Sequence, residues 1–446
     1  MAQELYIGVD LGTTAVKVSI FDAGGRALAV TSREFQLDSP KPDWLEFDAD
    51  KYLGCAFEGI REVLADPGVD ARSVKAVGLS SQAQTFVVLG EDGRPLRPAI
   101  SWLDVRAAKE ADELSEASVG LGHGDVDVMT SGPKLLWLRR NEPGVMDCTK
   151  RVLHLPDYFI YRLTGRGVSD PVTAGTTAIY QHCSKLWVEE LLDMCGLRRE
   201  MMAEVLLPGD AAGKLTSEAA EILGLSENVI VAVGSNDQLT GAIGAGNVIP
   251  GYASIAMGTA LAIIVTCETD ADPPAGVWAW PHAARGLGAM LIFAKTAGIV
   301  VRWFRDTFAP GLSYEELFDE ISQVPIGAGG ISCLPHFMGT ATPTYNPSVR
   351  GAFSGLNLSH GRGHLARAIV ESLTFTVGEN LNLVGPAVGG VTTVRTIGGG
   401  AQSDIWLQMI ADATGVPVER PETHEAACLG GAELGMVAVG RFGSVK

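Results

Sequence analysis

The sequence predicts an α/β fold in which each of two halves forms a mixed sheet flanked by helices. Two similar segments support this prediction: residues 6–18, YIGVDLGTTAVKV, and residues 253–264, ASIAMGTALAII. In each, a Gly-Thr pair separates two apolar runs rich in β-forming residues, a pattern typical of a tight hairpin. Helix-length segments follow both hairpins, which favours mixed sheets covered by helices. The expected helices lie at about 49–64, 105–115, 296–308 and 362–384.

The length of the chain predicts more than one domain. At 446 residues it exceeds what a single hydrophobic core usually organises. A glycine-rich segment, GAIGAG at residues 241–246, lies near the midpoint and is a candidate hinge. Alternatively, its small residues permit close packing of helices. We expect domains at residues 1–244 and 245–446.

The composition narrows the classes of partner. With 34 basic and 52 acidic residues the formal charge is −18, which opposes binding to nucleic acid or an anionic membrane surface. No apolar run is long enough for a membrane span, and the first residues, MAQE, lack a secretion signal, so we expect a cytoplasmic protein. The cysteines are odd in number and never spaced as C-x-x-C, which makes disulfides and a zinc site unexpected. They are Cys55, Cys148, Cys183, Cys195, Cys267, Cys333 and Cys428.

Each Gly-Thr turn has the features of a phosphate-binding loop. Glycine lets backbone N–H groups point at a phosphate, and the following hydroxyl adds a donor. The first hairpin carries Asp10 just before its turn, whereas the second has Met257 there, so only the first supplies an acid for a metal ion. An ordinary surface turn is the alternative for either hairpin alone. Because the pattern recurs, we expect both turns to hold one polyphosphate.

Two strand exits carry further candidate residues. Asp237, in GSNDQ, follows the apolar run 229–233 and is expected where a strand ends and a helix begins, a position that favours catalytic side chains. A helix cap is the alternative role for this aspartate. The segment GGGAQSD at residues 398–404 lets a flat base or ribose lie against the main chain. Ser403 breaks the G-x-G-x-x-G pattern, and no Walker motif occurs.

The segment SWLDVR at residues 101–106 combines an aromatic ring, an acid and a base at alternating positions. On a strand, Trp102, Asp104 and Arg106 would share one face, which suits a polyol. The alternative is a helix start, with Asp104 as its cap and Trp102 in the core.

Taken together, these motifs resemble the FGGY carbohydrate kinases, which share the fold of actin, hexokinase and the Hsp70 ATPase. The similarity runs almost end to end. The motifs that carry it are VDLGTTAVK from Val9, VGLSSQAQTF from Val77, EDGRPLRPAISWLDVR from Glu91, LPDYFIYRLTG from Leu155, GSNDQ from Gly234, MGTA from Met257, NPSVRGAFSGL from Asn346 and GGGAQS from Gly398.

The resemblance implies two actin-like (ribonuclease H-like) domains, an active-site cleft between them, and ATP-dependent phosphorylation of a sugar with Mg²⁺. Asp237 would be the catalytic base, while Asp10, together with Asp237, would hold the metal ion. The nucleotide and its phosphates would contact Thr13, Thr14, Lys17, Gly258, Thr259, Gly298, Gly399, Gly400 and Asp404. The sugar would contact Gln82, Gln84, Trp102, Asp104 and Gln238.

Two departures from the family pattern leave the substrate open. Members that resemble xylulose kinases usually have Gln-Met-His where this chain has Gln82-Ala83-Gln84, and many have Gly-Glu-Arg where it has Gly339-Thr340-Ala341. A ketopentose such as D-xylulose is the expected acceptor, with another pentulose, a polyol, gluconate or a deoxysugar as alternatives. The expected partners are therefore the sugar and ATP, with no nucleic acid and no membrane; a homodimer is left open.

Two proteins of other classes share the fold, and the residues argue against both. A non-catalytic sugar or nucleotide sensor has no need of a base, yet the chain retains Asp10 and Asp237. A chaperone or filament ATPase would leave the SWLDVR segment and Asp237 without a task.

Overall fold

The computed structural model describes residues 4–121, 126–182 and 184–446, which form two compact units. The first unit covers the described part of Met1–Gly244 together with Ala283–Arg285 and Glu425–Val445. The second covers Ala245–His282, Gly286–His424 and Lys446. The sequence assigned all of 245–446 to one domain, so the predicted domains and the compact units differ in the two segments that belong to the first unit.

The central sheet of the first unit is built around the first predicted hairpin. In chain order the strands of this unit are β1 (Leu5–Leu11), β2 (Ala15–Asp22), β3 (Ala27–Glu34), β4 (Glu46–Phe47), β5 (Val74–Ser81), β6 (Phe86–Leu89), β7 (Ala99–Ile100), β8 (Arg151–His154), β9 (Val168–Ser169), β10 (Tyr180–Gln181), β11 (Leu186–Trp187), β12 (Glu204–Val205), β13 (Ala211–Lys214), β14 (Ile230–Ala232) and β15 (Ser235–Asn236). The sheet order is β13-β14-β5-β1-β2-β3, with β15 also on β5. β1 pairs antiparallel with β2 and parallel with β5. The sheet is therefore mixed, as predicted.

Helices cover this sheet and a smaller neighbouring layer of β4, β6, β7 and β8. They are α1 (Ala49–Leu64), α2 (Ala108–Gly120), α3 (Ser131–Asn141), α4 (Pro143–Cys148), α5 (Leu155–Thr164), α6 (Pro171–Gly175), α7 (Glu189–Cys195), α8 (Ser217–Leu223) and α9 (Asp237–Gly244). The N-terminus of α1 is capped by Asp48, whose carboxylate accepts a hydrogen bond from the Lys51 backbone N–H at 3.0 Å. Apolar residues of α1, α5 and α8 join those of the sheet in one buried core.

The second unit repeats the arrangement of the first. Its strands are β16 (Tyr252–Met257), β17 (Leu261–Cys267), β18 (Trp278–Pro281), β19 (Gly288–Ala294), β20 (Ser332–Leu334), β21 (Ala352–Ser354), β22 (Thr393–Ile397) and β23 (Val418–Glu419). Its helices are α10 (Gly298–Phe308), α11 (Tyr314–Ser322), α12 (Arg362–Val388) and α13 (Asp404–Thr414). β16 pairs antiparallel with β17 and parallel with β22, just as β1 pairs with β2 and β5. The second predicted hairpin is thus confirmed.

The last helix, α14 (Ala426–Ala438), packs on β1 and β5 of the first unit through glycines. A Cβ atom added at Gly8 or at Gly78 would lie 1.8 Å from a backbone carbonyl oxygen of α14. At Gly244, near the end of α9, the added Cβ would lie 1.9 Å from the Ala426 carbonyl oxygen. At this position the glycine-rich segment therefore permits close packing of two helices.

The predicted strand through the SWLDVR segment is wrong. Strand β7 ends at Ile100, and Trp102, Asp104 and Arg106 lie in the turns between it and α2. The alternative, in which Asp104 caps a helix, is also wrong, because the residue before α2 is Ala107 and makes no side-chain cap. Asp104 instead forms an ion pair with Arg106, a contact that neither prediction from residue spacing included.

Two further properties concern the residues that the structure describes. Within residues 4–121, 126–182 and 184–446, no helix combines the length and the apolar character that crossing a bilayer requires. Six cysteines, Cys55, Cys148, Cys195, Cys267, Cys333 and Cys428, are free thiols. The expectations of no disulfide and no secretion signal also depend on Cys183 and on the first three residues, which lie outside the described residues.

Candidate functional site

Asp10 lies near the end of β1, between polar residues of the two neighbouring strands. Ser80 on β5 and Lys17 on β2 are its register partners. The Ser80 hydroxyl donates a hydrogen bond to Oδ1 of Asp10 at 2.8 Å. Burial raises the pKa of the Asp10 carboxyl, and the Ser80 hydrogen bond and the Lys17 charge oppose this shift.

Asp237 begins α9 directly after β15, as the sequence predicted. β15 pairs with β5 at Ser80, the residue that also contacts Asp10, so both aspartates lie at the same edge of the sheet. The pKa of Asp237 is raised to about 7, mainly by burial and also by the charge of Asp10, while hydrogen bonds from Gln238 oppose the shift. The two carboxylates therefore interact electrostatically, an arrangement typical of functional sites.

The turn of the first hairpin is fixed by two side chains from other segments. The Gly12 carbonyl accepts a hydrogen bond from the Tyr52 hydroxyl at 2.6 Å and one from Nε2 of Gln82 at 3.1 Å. Thr13 accepts a hydrogen bond from the indole Nε1 of Trp102 at 2.9 Å. Thr14 is exposed at the tip of the turn. The structure thus joins residues predicted for the phosphate with two predicted for the sugar.

Thr85 connects the predicted sugar residues to one another. Its hydroxyl donates to Oε1 of Gln82 at 3.0 Å and accepts from the backbone N–H of Trp102 at 3.1 Å. Gln84, the residue before Thr85, has φ = 66°, a left-handed backbone conformation that residues other than glycine rarely adopt. Such strain is common at binding sites, where surrounding structure imposes it. Gln238 is half-buried beside Asp237.

Asp104 is built into the interior rather than into this cluster. It is fully buried, and its carboxylate accepts hydrogen bonds from Nε and Nη2 of Arg106 at 2.9 and 2.7 Å. The Leu45 backbone N–H donates to the same group at 2.6 Å, and Arg106 lies over the Trp44 ring. Both carboxylate oxygens are occupied, so contact between Asp104 and a sugar stays a prediction.

Lys17 has a specific partner within the first unit. Its Nζ atom lies 2.9 Å from the carboxylate of Glu425, which immediately precedes α14. Burial lowers the pKa of Lys17, but Glu425 and Asp10 raise it more, so the net shift is upward. The ammonium group is therefore charged and held by Glu425. Its predicted contact with phosphate stays a prediction.

In the second unit, the second Gly-Thr turn lies against the start of α10. The backbone N–H of Gly298 donates to the Gly258 carbonyl at 2.9 Å, and that of Ile299 donates to the Thr259 carbonyl at 3.2 Å. A Cβ atom on Gly298 would lie 2.6 Å from the Gly258 carbonyl oxygen. Only glycine fits this contact, which places a helix N-terminus beside the turn.

The triple-glycine segment adjoins the same turn. An added Cβ atom would lie 2.8 Å from the Met257 Cβ at Gly400 and 3.1 Å from the Met257 carbonyl oxygen at Gly398, so these two glycines pass close beside the end of β16. At Gly399, between them, nothing lies within 4 Å of the added Cβ. Arg420 holds this segment by donating to the Ala401 carbonyl at 3.1 Å and to Asp404 at 2.6 Å. The structure therefore brings together the glycines and Thr259 predicted for the nucleotide. Asp404 begins α13 with a largely exposed side chain.

Several residues that shape the site escaped the sequence analysis. They are Tyr52, Ser80, Thr85 and Lys134. Tyr52 reads as a core residue of α1, and only its hydroxyl reaches the turn. Ser80 and Thr85 lie within the segment VGLSSQAQTF, in which only Gln82 and Gln84 were predicted to have a role. Lys134 carried no signal, since a lysine in a helix is ordinarily exposed.

The pair of aspartates fits a magnesium ion better than a transition metal. Both carboxylates are half-buried, and the charge of Asp10 raises the pKa of Asp237, so a cation bound beside them would stabilise their ionised forms. Mg²⁺ is usually bound through one or two carboxylates together with phosphate oxygens, rather than by a full cage of side chains. In the described part of the chain, no group of three or more His, Cys, Asp or Glu side chains forms such a cage.

Comparisons with known proteins cover nearly the whole chain. The model of the "FGGY family of carbohydrate kinases, N-terminal domain" matches residues 5–244, and that of the C-terminal domain matches residues 253–439. The xylulose kinase of Bacillus subtilis is 30% identical over 448 residues, 99% of this chain and 89% of that protein. The autoinducer-2 kinase of Escherichia coli is 30% identical, over 98% of this chain and 87% of that protein. A crystal structure of a "xyloylose kinase" from Brucella ovis superposes with a TM-score of 0.90 at 29% identity, over 98% of this chain and 91% of that one.

Proposed function

The chain belongs to the FGGY family of carbohydrate kinases, and from that premise we propose that it transfers the terminal phosphoryl group of ATP to a hydroxyl of D-xylulose. The observation that carries the proposal is the pair of coupled aspartates, Asp10 and Asp237, at one edge of the first sheet. Named relatives support the choice of a ketopentose, because several of them are xylulose kinases.

Asp237 acts as the base in this proposal. A carboxylate beside the acceptor hydroxyl accepts its proton as the new bond to phosphorus forms. The high pKa of about 7 makes Asp237 a better proton acceptor than an ordinary aspartate, at the cost of being partly protonated in the free protein. Gln82, Gln84, Trp102 and Gln238 bind the sugar.

The two Gly-Thr turns bind phosphate oxygens. Thr13 and Thr14 in the first unit and Thr259 in the second offer backbone N–H groups and hydroxyls, while the N–H of Gly258 closes its turn by donating to the Ala260 carbonyl at 3.2 Å. Lys17 adds a positive charge close to Asp10. Gly298, Gly399, Gly400 and Asp404 bind the nucleoside part of ATP, with the α10 N-terminus favouring the negative phosphates.

Asp10 and Asp237 would hold Mg²⁺. The ion, when bound, supplies positive charge that neutralises the phosphate oxygens during transfer. Phosphoryl transfer depends mainly on alignment and charge neutralisation, which is what the residues on both hairpins provide. Ser80 fixes the Asp10 carboxylate, which would be one of the two groups that hold the ion.

A panel of acceptors tests the proposed function directly. We expect Mg²⁺-dependent ADP release with D-xylulose at a kcat/KM at least ~10-fold above that with other pentuloses, polyols, gluconate or deoxysugars. ADP release without acceptor serves as the baseline. A different preferred acceptor would replace xylulose within the kinase proposal. Sugar binding without any turnover would instead favour a sensor and refute the kinase proposal.

The Gln84→Ala variant tests which side chain recognises the sugar. Because alanine keeps the positive φ without the amide, the backbone strain changes little while hydrogen bonds to sugar hydroxyls are lost. We expect the sugar KM to rise ~5–50-fold and the ATP KM to change less than ~2-fold. The exposed Gln323→Ala is the matched control. Equal changes in both KM values would remove Gln84 from the sugar site.

A further inference from the structure

Lys134 is a fully buried cation with three backbone partners. It lies in the first turn of α3 with 0% of its surface exposed. Its Nζ atom donates to the carbonyl oxygens of Ser101 and Trp102, both at 3.1 Å, and to that of Met129 at 2.9 Å. An ammonium group has three N–H bonds, so each one has an acceptor.

Burying the Lys134 ammonium group costs free energy, so a lysine at this position is expected to serve a specific role. The pKa of Lys134 is lowered to about 7, mainly by burial and also by the charge of Arg106, while the charges of Asp104 and Asp127 oppose the shift. A methionine or leucine would fill similar space without the desolvation cost. Unlike an apolar side chain, Lys134 donates hydrogen bonds that link the carbonyls of Ser101 and Trp102 to that of Met129.

One of the bound carbonyls belongs to Trp102, which is fixed at two further points. Its backbone N–H donates to Thr85, whose hydroxyl in turn donates to Gln82. Its indole N–H donates to the hydroxyl of Thr13 in the first Gly-Thr turn. The segment around Trp102 has no regular secondary structure, so side-chain contacts of this kind determine where the indole lies.

We propose that Lys134 is a positioning residue for the sugar site: by joining the carbonyls of Ser101 and Trp102 to that of Met129, it fixes the Trp102 indole against Thr13. The inference rests on the proposed function, because Trp102 is assigned there to the sugar. Lys134 itself touches neither substrate. Its effect is transmitted through the position of one aromatic ring.

The Lys134→Met variant of the full chain tests the inference with two readouts. Steady-state kinetics should show a sugar KM raised at least ~10-fold and an ATP KM changed less than ~2-fold, because three carbonyls near Trp102 lose their donor. Protein labelled with 5-fluorotryptophan gives a ¹⁹F signal for Trp102, assigned by its loss in Trp102→Phe. That signal should shift or broaden in Lys134→Met, in the absence of any substrate.

Arg367→Met is the matched control. Arg367 is a buried cation of the second unit that also donates to two backbone carbonyls, those of Ile321 and Val324, at 3.1 and 2.8 Å. Its loss should reduce stability without raising the sugar KM relative to the ATP KM. Should Lys134→Met not fold, Lys134→Gln keeps two N–H donors and is expected to raise the sugar KM ~3-fold by the same mechanism.

The outcomes separate this inference from the proposed function. Three results would each overturn the role of Lys134 while leaving the kinase proposal intact. They are an unchanged Trp102 signal, an unchanged sugar KM, and a ratio of sugar KM to ATP KM that equals the ratio in Arg367→Met. In the Trp102→Phe background, Lys134→Met should add less than ~2-fold to the sugar KM, and full additivity would also overturn it. Wild-type protein that phosphorylates no sugar would refute the proposed function and this role together.

Discussion

Asp237→Asn is expected to lower kcat by ~10²–10⁴-fold, the usual cost of losing a general base. Asparagine is nearly isosteric and preserves the start of α9, but its amide accepts no proton from the sugar hydroxyl. The KM values for sugar and ATP should change less than ~3-fold, because alignment of the substrates depends on other residues. Steady-state kinetics with D-xylulose, or with the acceptor that the panel identifies, measures all three constants.

The pH dependence of the wild-type enzyme examines the same assignment. Since kcat/KM reports the ionisation of the free enzyme, it should fall as the pH decreases through about 7, where Asp237 becomes protonated. Stability provides a second measurement. The folded protein, with this pKa near 7, binds a proton that an ordinary aspartate releases near 4, so its stability decreases as the pH rises from ~4 to ~7.

Asp237→Asn removes this contribution and should therefore be the more stable protein at pH 8. The expected gain in the free energy of unfolding is of order 2–4 kcal/mol. It should vanish below pH ~4, where Asp237 is protonated in both the folded and the unfolded wild-type protein. Chemical denaturation at several pH values gives the difference. Asp147→Asn, at an exposed carboxylate, is the control and should show no gain. A near-normal kcat in Asp237→Asn would remove Asp237 as the base, whatever its stability.

The sequence predicted the hairpins, the mixed sheets and the position of Asp237 because these depend on local pattern. Alternating apolar runs around Gly-Thr specify a hairpin wherever it occurs, and an acid after a buried strand lies at a strand end. The segment at Trp102 was predicted wrongly for the opposite reason. Its conformation depends on the ion pair of Asp104 with Arg106 and on the buried Lys134, and these contacts have no periodicity.

The position of α14 could not be predicted from the sequence either. A helix rich in small residues fits against any surface that is flat enough, and nothing local indicates that it returns to β1 and β5. The glycines that receive it, Gly8 and Gly78, read as unremarkable members of two β-strands. Only the pairing of the strands places both of them under the same helix.

Gly78→Ala is expected to lower the stability of the first unit strongly, and Gly8→Ala should have a comparable effect because its added Cβ also lies 1.8 Å from a carbonyl oxygen of α14. The new Cβ of Gly78→Ala would lie 1.8 Å from the Gly431 carbonyl oxygen and 3.1 Å from the Gly435 backbone nitrogen. Both neighbours are backbone atoms of α14, so relief requires the helix to move away from β5. Overpacking that cannot relax costs at least ~3 kcal/mol. Thermal unfolding should therefore begin roughly 6–12 °C lower than in the wild type.

Gly54→Ala supplies the matched control for this prediction, because it adds the same methyl group to an α-helix of the same unit. Nothing lies within 4 Å of the added Cβ at Gly54, in the interior of α1. Alanine favours a helix over glycine, so this variant should be more stable by ~0.5–1 kcal/mol. The gain at Gly54 comes from helix propensity, whereas the loss at Gly78 comes from the contact with α14 and not from the added methyl group as such. If Gly78→Ala unfolds at the wild-type temperature, α14 does not pack on β5 as closely as the backbone distances indicate, and the placement of the last helix in the first unit is wrong.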